Sequence, residues 1–482
     1  LLIPLMLIRL FPLLLFFSIG NQVIGADQNI LSVDDSPTRA KTSDDFFISW
    51  VEHIIDDPIT SSEPFNGSDG LVMEDLDLDG FDDIVSVHES DATYDSAKHA
   101  PDFNVPLLGH VRVAFGTNDP KNWRNITLAS GPDVAAPEDA AIGDINNDGF
   151  PDVIVAAELG HLIYFQNPTQ GIRTKPWQSL ILPSTKNRGS YLRVFLADFN
   201  NDNQLEVVGT NKGAQRPGPE DLAKSTPVSI FKVDEDALTE NSWSEQILGH
   251  YSIPQNAEPV DIDSDGDLDI IVGSRGERRI AWFENQGLHS GIFKEHAIGI
   301  AGALVSGFNM AYADINLDEK IDVIAASDQG LVWLQQPQNI DSAWIPHMIG
   351  TFDPDSITGI IAADINQDGR TDVFAGSYSR GSRISEKNVS VHEPLGRLGW
   401  FENNGAQNLW TRHDISRRKR GMFDKFIAKD LDADGDIDIV GTRGNSQNLD
   451  GVFWLEQIRT KSPVRIFTSA RSDDSQSMPL PQ

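Results

Sequence analysis

Carboxylates recur in this sequence at a spacing that suits the binding of a metal ion. The clearest example is Asp430-Leu-Asp-Ala-Asp-Gly-Asp-Ile-Asp438, which carries aspartates at positions 1, 3, 5 and 9 of a loop and glycine at position 6. Alternate carboxylates of such a loop can direct hard oxygen ligands at one Ca²⁺, the carbonyl of position 7 can join them, and Gly435 permits the sharp turn. The segment is therefore predicted to be a calcium-binding loop.

Six further segments have the same spacing, so the motif is a repeat. Four of them keep the glycine, whereas position 6 is Asn203 in one loop and Glu319 in another. Because asparagine tolerates left-handed backbone better than glutamate, we expect the loop that contains Glu319 to bind calcium most weakly. The sequence predicts up to seven structural Ca²⁺ ions. The predicted metal ligands are Asp75, Asp77, Asp79, Asp83, Asp144, Asn146, Asp148, Asp152, Asp198, Asn200, Asp202, Glu206, Asp261, Asp263, Asp265, Asp269, Asp314, Asn316, Asp318, Asp322, Asp364, Asn366, Asp368, Asp372, Asp430, Asp432, Asp434 and Asp438.

The residues around each loop predict strands rather than helices. An EF-hand shares the first three ligands, but it ends with glutamate at position 12 between two helices, whereas these loops end at position 9. Each loop leads into a short β-type segment such as Asp152-Val-Ile-Val-Ala156 and follows another. An acidic surface turn would explain one such loop. Seven loops in register favour calcium loops that each join two strands.

A second motif keeps step with the loops and sets the size of the repeat. It is an aromatic strand, exemplified by Trp410-Thr-Arg-His-Asp-Ile, and it also occurs seven times. Each unit predicts strand A, calcium loop, strand B, strand C, turn and strand D. Loops that start 50 to 69 residues apart are typical of four-stranded β-propeller blades. The histidine of strand D is interpreted as a packing residue rather than a metal ligand; it occurs as His53, His296, His347 and His413.

These counts predict an all-β fold, a seven-bladed β-propeller. The first aromatic strand, at residues 50–55, precedes the first loop, and the last loop is followed by two strands only, the second at residues 452–455. Pairing of these two strands would complete the last blade and protect its edge. The propeller is predicted to span residues 44–457, between a polar linker at 27–43 and a disordered tail at 458–482.

The N-terminal segment indicates export. Residues 1–26 are apolar, with Arg9 ahead of the apolar run and small residues before Asp27, as in a secretory signal peptide. An uncleaved membrane anchor is the alternative, and no other stretch approaches the roughly 20 apolar residues of a membrane span. We therefore expect a secreted, periplasmic or cell-surface protein without a membrane span after cleavage. Cysteine is absent, so calcium rather than disulfides is expected to brace the exported fold.

The formal net charge of −34 disfavours nucleic acid as a partner. Seven Ca²⁺ ions, each adding two positive charges, would bring this value from −34 to −20. Much of the acidity is therefore assigned to metal ligands rather than to a general polyanionic surface.

With these motifs the chain resembles the FG-GAP/VCBS-repeat seven-bladed β-propellers, over about residues 50–457. That family includes the head of integrin α-subunits, some fungal lectins and many bacterial exported proteins. The resemblance implies the propeller fold and bound calcium. The resemblance says little about function, because such propellers serve adhesion, sugar binding and, in aldos-2-ulose dehydratase-like and polysaccharide-lyase members, catalysis.

Propeller topology sorts the loops into two faces. The calcium loops and the C-to-D turns share one face, and the B-to-C and D-to-A loops share the other, around the mouth of the central channel. Every Arg-Gly pair falls on this second face, together with long insertions at 89–110, 210–227 and 377–397. Arginine offers a planar fork for carboxylate or sulfate, so arginines from four blades are predicted to ring an anionic ligand there. The predicted ligand-binding residues are Arg188, Lys212, Arg275, Asn309, Arg380, Arg420 and Arg443.

Two interpretations of these arginines stay open, since they could instead pair with local acids such as Glu138, Asp139, Glu277 and Asp424 and hold the long loops in place. Three classes of function also stay open. We expect exported ligand binding, with acidic carbohydrate as the target. A polysaccharide lyase or sugar dehydratase would use the same cations for β-elimination, with proton transfer by His161, Tyr191 or Tyr378, and a protein-adhesion module would use the broad loop surface. Whether the protein is an enzyme is not decided by the sequence.

Overall fold

The computed structural model describes residues 31–90, 108–214, 217–287, 291–381, 386, 388–405 and 409–482. In chain order the first strands are β1 (Phe47–Asp56), β2 (Ser68–Glu74), β3 (Asp83–His88), β4 (His110–Phe115), β5 (Arg124–Ser130), β6 (Pro137–Gly143), β7 (Asp152–Ala157), β8 (Leu162–Gln166), β9 (Gln178–Ile181), β10 (Tyr191–Ala197), β11 (Glu206–Asn211), β12 (Thr226–Val233), β13 (Trp243–Tyr251) and β14 (Pro254–Val260). The remaining strands are β15 (Asp269–Ser274), β16 (Arg279–Asn285), β17 (Phe293–Ala297), β18 (Val305–Ala313), β19 (Asp322–Ser327), β20 (Gly330–Gln335), β21 (Ile345–Gly350), β22 (Ser356–Ala363), β23 (Asp372–Tyr378), β24 (Gly396–Asn403), β25 (Trp410–Arg418), β26 (Phe426–Lys429), β27 (Asp438–Arg443), β28 (Gly451–Thr460) and β29 (Phe467–Thr468). Helical segments are short: α1 (Pro58–Ser61) and the 3₁₀ turns Pro132–Val134, Pro183–Thr185, Glu240–Ser242 and Gln447–Leu449.

The strands form seven antiparallel blades, which confirms the predicted all-β seven-bladed propeller. Blades one to six are the consecutive four-strand sheets β2–β5, β6–β9, β10–β13, β14–β17, β18–β21 and β22–β25, and blade seven combines β26–β28 with β1 and β29. The first strands of neighbouring blades contact one another around the ring, and β26 contacts β2. The ring is therefore closed, and these inner strands line its axis.

The apolar core lies between blades rather than within one layer. Seven apolar clusters of described residues each join two neighbouring blades. For example, Val85 and Val113 of blade one pack with Val153 and Val155 of blade two. A strand B buried on both faces, such as β7, is therefore apolar along its whole length instead of alternating.

The predicted closure of the ring by the N-terminal strand is present. Strand β1 pairs antiparallel with β28, with Trp50 opposite Gln457 and Ile54 opposite Phe453. Strand β29 then pairs parallel with β1 on its other side. Blade seven thus contains strands from both ends of the chain, and its outer edge is covered by a short fifth strand.

The predicted linker and disordered tail differ from the structure, because the described residues 31–46 and 461–482 pack on blade seven. Val33 donates a backbone hydrogen bond to Met478, and Phe467 is buried. Polar composition predicted a linker at 27–43 and disorder at 458–482, but Asp34 and Asp474 pair with the buried Arg418. The predicted signal peptide at 1–26 lies outside the described residues, as do parts of the insertions at 89–110, 210–227 and 377–397. No helix in the described part of the chain is long and apolar enough to cross a membrane.

We predict that Asp474→Ala lowers the free energy of unfolding by about 3 kcal/mol, because it removes an acid from a buried pair. The Asp474 carboxylate contacts Arg418 and lies 2.9 Å from Nη1 of Arg443, and both arginines are buried. The matched control is Asp473→Ala, since the neighbouring Asp473 is exposed. Urea unfolding at fixed buffer composition measures both variants. Equal, small effects at the two positions would show that the tail does not stabilise blade seven.

Candidate functional site

All seven acidic loops fold with the same hydrogen bonds. In the last loop, the Asp430 carboxylate accepts from the backbone N–H of Asp434 at 3.1 Å and of Gly435 at 3.0 Å. The corresponding aspartate at position 1 makes the same two bonds in the other six loops. The position 1 side chain therefore stabilises the turn through hydrogen bonds within the loop, and these bonds require no ligand.

The two loops that lack glycine at position 6 keep this backbone conformation at the cost of conformational strain. Position 6 is left-handed throughout, with φ of 95° at Gly435, 66° at Asn203 and 67° at Glu319. Position 4 is also left-handed in every loop, for example at Ala433 and Leu317. Left-handed backbone disfavours residues with a Cβ, least so asparagine. The loop with Glu319 therefore differs from the others in strain rather than in shape.

The acid at position 9 is buried and joins separate strands. Asp438 accepts from the backbone N–H of Leu431 at 3.0 Å and from that of Gln457, at the end of strand C, at 2.9 Å. The same pair of bonds occurs in the loops that begin at Asp75, Asp261, Asp314 and Asp364. Burial raises the pKa of Asp83, Asp152, Asp322 and Asp438 to about 7 and of Asp269 and Asp372 to about 8. A charged carboxylate at this position therefore benefits from a nearby cation.

Three loops bring carboxylates together as a cation site requires. One oxygen from each of three acids lies within 4.8 Å of the others in the groups Asp75–Asp77–Asp83, Asp261–Asp263–Asp265 and Asp430–Asp432–Asp438. At position 3, the buried Oδ1 atoms of Asp77 and Asp432 have no hydrogen-bond partner among the described residues. Hard carboxylate oxygens of this kind are the donors that Ca²⁺ prefers, so the residues present fit the ion that the sequence implies.

In two of the loops, a basic side chain from outside the loop contacts predicted metal ligands, which the sequence analysis missed. Arg173 approaches the first loop, with Nε 2.5 Å from Oδ2 of Asp77 and Nη2 2.6 Å from Oδ2 of Asp79. Lys232 places its Nζ 3.0 Å from Oε1 of Glu206, the position 9 acid of the third loop. Neither contact is visible in the loop sequence, because both bases come from later strands or turns. The third loop thus already has an internal cation at its acid.

Amide side chains at or near the end of strand C link five of the seven blades, blades two, four, five, six and seven, to the preceding blade. Nδ2 of Asn167 donates to the carbonyl of Leu76 in the preceding blade at 2.9 Å and to that of Pro151 in its own loop at 2.9 Å. Asn285, Gln336, Asn403 and Gln457 make the equivalent pair of bonds. Their recurrence near the end of strand C in five blades was the available sequence signal for a bridge between blades.

Most of the side chains predicted to form a cationic ring at the channel mouth already bond to other protein groups. Arg443 is buried, with Nε donating to the Leu449 carbonyl and Nη1 pairing with Asp474, and burial lowers its pKa. Arg420 is also buried and donates to the carbonyls of Asn445, Arg380 and Gly381. These contacts agree with the alternative interpretation, in which the arginines hold the loops in place.

The other predicted ligand residues fall into two groups. Arg188 pairs with Glu245 and Lys212 pairs with Glu158, so both belong to the structural group. Arg275 and Arg380 are exposed, and neither contacts an acid among the described residues. The predicted site therefore does not form as a ring from four blades, and two of its arginines remain accessible.

The candidate proton-transfer residues are placed unfavourably for elimination. Tyr191 is buried, and burial raises the pKa of its hydroxyl, so the deprotonated form that would accept a proton is disfavoured. His161 is held by a 3.0 Å contact between Nε2 and the Asp133 carbonyl, and burial lowers its pKa. Tyr378 is half-buried at the end of β23, where it bridges to Met422. No described contact joins these three residues into one constellation.

Arg193, which the sequence analysis missed, closes the channel. Its Nη2 lies 2.6 Å from Oδ2 of Asp424 and 3.0 Å from Oδ1 of Asn309, while Nη1 donates to the Glu138 carbonyl at 3.3 Å. The guanidinium also lies over the ring of Phe308 at 4.8 Å. This buried side chain of blade three therefore connects blades two, five and seven across the axis. Asn309, a predicted ligand residue, is part of this closure.

Comparison with known proteins assigns the repeat. The FG-GAP-like repeat family matches residues 75–155, 144–209, 261–325 and 314–375, which together make up just over half of the chain. Each matched segment begins at the position 1 aspartate of a loop. The chain belongs to the FG-GAP-like repeat family. No curated protein matches it.

Three solved structures with similarity to this FG-GAP propeller share 12–13% sequence identity with it. An Agrocybe aegerita lectin that recognises non-reducing terminal N-acetylglucosamine is 13% identical, with 82% of this chain and 98% of that one covered and a TM-score of 0.43. The Bacillus licheniformis rhamnogalacturonan lyase PL11 is 12% identical, with 91% and 76% covered and a TM-score of 0.41. The S. cerevisiae core factor is 12% identical, with 88% and 62% covered and a TM-score of 0.43. Matches this distant carry no argument about function.

The strand D histidines of the FG-GAP repeat have packing contacts. His413 stacks on Trp400 of strand C with 4.5 Å between ring centroids, and its Nε2 lies 2.8 Å from Oε2 of Glu402. His53, His296 and His347 stack in the same way on Trp454, Trp282 and Trp333, with a carboxylate or amide oxygen at Nε2. The sequence Trp-Phe-Glu-Asn of strand C therefore supplies the stacking ring, the histidine partner and the amide bridge.

We predict opposite effects on stability when a side chain is added at position 6 of one FG-GAP loop and removed from position 6 of another. Gly435→Ala should destabilise the protein by about 1 kcal/mol, because a Cβ there meets no atom within 4 Å and only the left-handed backbone is penalised. Glu319→Gly should stabilise it by roughly 0.5–1 kcal/mol, since it relieves that same strain. Denaturant unfolding of both variants measures the difference. A Glu319→Gly protein less stable than the parent would contradict the strain argument.

Proposed function

We propose that the protein is an exported, calcium-stabilised propeller that binds an acidic carbohydrate at the face opposite the acidic loops. The observation that carries the calcium part is the convergence of loop carboxylates together with the buried Oδ1 atoms of Asp77 and Asp432, which lack hydrogen-bond partners among the described residues. Unsatisfied buried oxygens are costly, and a divalent cation would satisfy them. The loops that begin at Asp261 and Asp430 are the best candidates, because Arg173 already contacts Asp77 and Asp79 of the loop that begins at Asp75.

The calcium sites are proposed to be structural. When bound, the ion supplies positive charge to oxygens at positions 1, 3, 5 and 9. The residues themselves already set the backbone through position 1 and join strands through position 9. The third loop is expected to bind more weakly than the sequence suggested, because Lys232 already compensates Glu206. Stabilisation of the folded state by an ion that binds it alone follows from mass action.

The carbohydrate part rests on the accessible cations of the opposite face. Arg275 and Arg380 lie in B-to-C loops, are exposed and contact no acid in the described part of the chain. An arginine fork matches a carboxylate, and the half-buried Tyr378 beside Arg380 offers an aromatic face of the kind that packs on a sugar ring. Arg188, Arg420 and Arg443 are left out of the proposed site because protein groups already occupy their donors.

Chelation of calcium should lower the melting temperature, since loop carboxylates then repel one another. Asp434→Ala should reduce calcium-dependent stability more than Asp318→Ala, because the Asp318 loop contains the strained Glu319 and an asparagine at position 3. Differential scanning calorimetry in calcium and in EDTA measures both variants. Identical curves in the two buffers would exclude structural calcium, and equal losses at the two positions would overturn only the ranking.

Binding of uronate-containing glycans should be abolished by the double variant Arg275→Ala/Arg380→Ala, with a larger loss at low salt than at high salt. The matched control is Lys175→Ala, which removes an exposed cation from the acidic-loop side. A glycan array of neutral and uronic oligosaccharides measures binding, and near-ultraviolet absorbance of the same samples detects an unsaturated product. Normal binding by a folded double variant would reject the site. Accumulation of the product would identify a lyase instead.

A further inference from the structure

A cavity of about 240 Å³ lies on the axis of the propeller, below the closure made by Arg193. It is lined by the inner strands of blades three to seven, β10, β14, β18, β22 and β26. Such a volume is far above the ~10–15 Å³ that one water needs, and it is smaller than the roughly 300–1,000 Å³ of pockets for drug-sized ligands. It therefore suits one small ring.

The cavity is more closed toward the channel mouth than toward the acidic loops. Toward the channel mouth, Arg193, Asn256 and Asp139 are buried. Toward the acidic loops, the last residues of the inner strands are half-buried or exposed, as the ends of β14, β22 and β26 show. Solvent therefore reaches the cavity from the acidic-loop side, the face opposite Arg275 and Arg380.

Two polar atoms at the cavity have no hydrogen-bond partner in the described part of the protein. They are Oδ1 of Asn256 and Nε of Arg193, both on buried side chains. Lys425 donates no hydrogen bond to any described residue, and its nearest acid is Asp139, with Nζ 3.7 Å from Oδ1. Glu258 lies beside Asn256 and Tyr312 in the same lining. The cavity thus offers free donors and a free acceptor side by side.

The charges around the cavity compensate one another. Arg193 is paired with Asp424, and Lys425 is paired with Asp139. Burial raises the pKa of the Glu258 carboxyl, and Lys425 opposes that rise. An ionic ligand would leave an uncompensated charge in a low-dielectric channel, whereas a neutral ligand with hydroxyl groups would not.

The walls of the cavity offer apolar surface of the kind that packs against a hydroxylated ring. Phe195, Tyr312 and Phe426 contribute aromatic surface, and Ile361 contributes aliphatic surface. A sugar ring has hydroxyl groups that both donate and accept, together with apolar C–H faces. We propose that the axial cavity binds one neutral monosaccharide unit, with hydroxyl groups on Lys425 and Asn256 and its apolar faces on the aromatic walls. This site is separate from the cationic face described above and does not depend on it.

The first test is a titration of the calcium-loaded protein with neutral and charged monosaccharides. D-glucose, D-galactose and D-mannose are compared with D-glucuronate and D-glucosamine by saturation-transfer NMR and calorimetry. At least one neutral sugar should bind saturably, and its charged analogues should bind at least about tenfold more weakly. No binding by any neutral sugar, or preferred binding of the charged ones, would overturn the proposal.

Variants then locate the site. Lys425→Met should weaken binding at least about tenfold, the loss expected for a hydrogen bond from a charged donor. Ala362→Phe removes no polar group and fills space at the half-buried lining, so it should abolish binding. Arg275→Ala/Arg380→Ala should leave monosaccharide binding unchanged, which separates this site from the proposed glycan site. A crystal structure with the bound sugar decides the location even where a variant misfolds, and a sugar found outside the channel would refute the assignment.

Discussion

A buried carboxylate at position 9 of each acidic loop is the interaction on which the rest of the propeller depends. At Asp438 it accepts one backbone N–H from the start of its loop and another from the end of strand C, so three chain segments meet at one side chain. The residue that provides the second N–H, Gln457, uses its side chain to reach the carbonyl of Ile365 in the preceding blade. The geometry of one loop therefore fixes both the blade that contains it and the contact of that blade with the preceding one.

This arrangement places much negative charge in a small volume, and the protein compensates it in different ways. Around the first and third loops, Arg173 and Lys232 contact the acids directly. In the last loop, the Oδ1 atom of Asp432 is left without a partner among the described residues. Burial raises the pKa of the position 9 acids, because a charged carboxyl is costly away from water. Loops with the same sequence motif are thus electrostatically different sites.

The repeat could be predicted from the sequence because it is local and periodic. The spacing of acids and aromatic residues was enough for the blade count, for the strand order and for the pairing of β1 with β28. The tail and the arginines could not be judged in the same way, because their partners are distant in sequence. Asp474 contacts Arg418 and Arg443, and composition alone made this segment resemble a disordered one. Arg193 was missed for the same reason, since its role depends on residues of three other blades.

The number of arginines on a surface is consequently a weaker guide to a binding site than whether their N–H donors already bond to protein groups. The guanidinium of Arg443 contacts two acids and a backbone carbonyl. A ligand that bound there would have to displace these partners and would leave the displaced acids uncompensated in the protein interior, where an unpaired charge is costly. Asn256 and Lys425 are less conspicuous in the sequence, yet both line a cavity in which Oδ1 of Asn256 has no hydrogen-bond partner among the described residues and Lys425 makes only a 3.7 Å ion pair with Asp139. Binding at such atoms replaces water rather than protein contacts. The axial cavity therefore requires no rearrangement of the fold to accept a ligand, whereas the buried arginines of blade seven do.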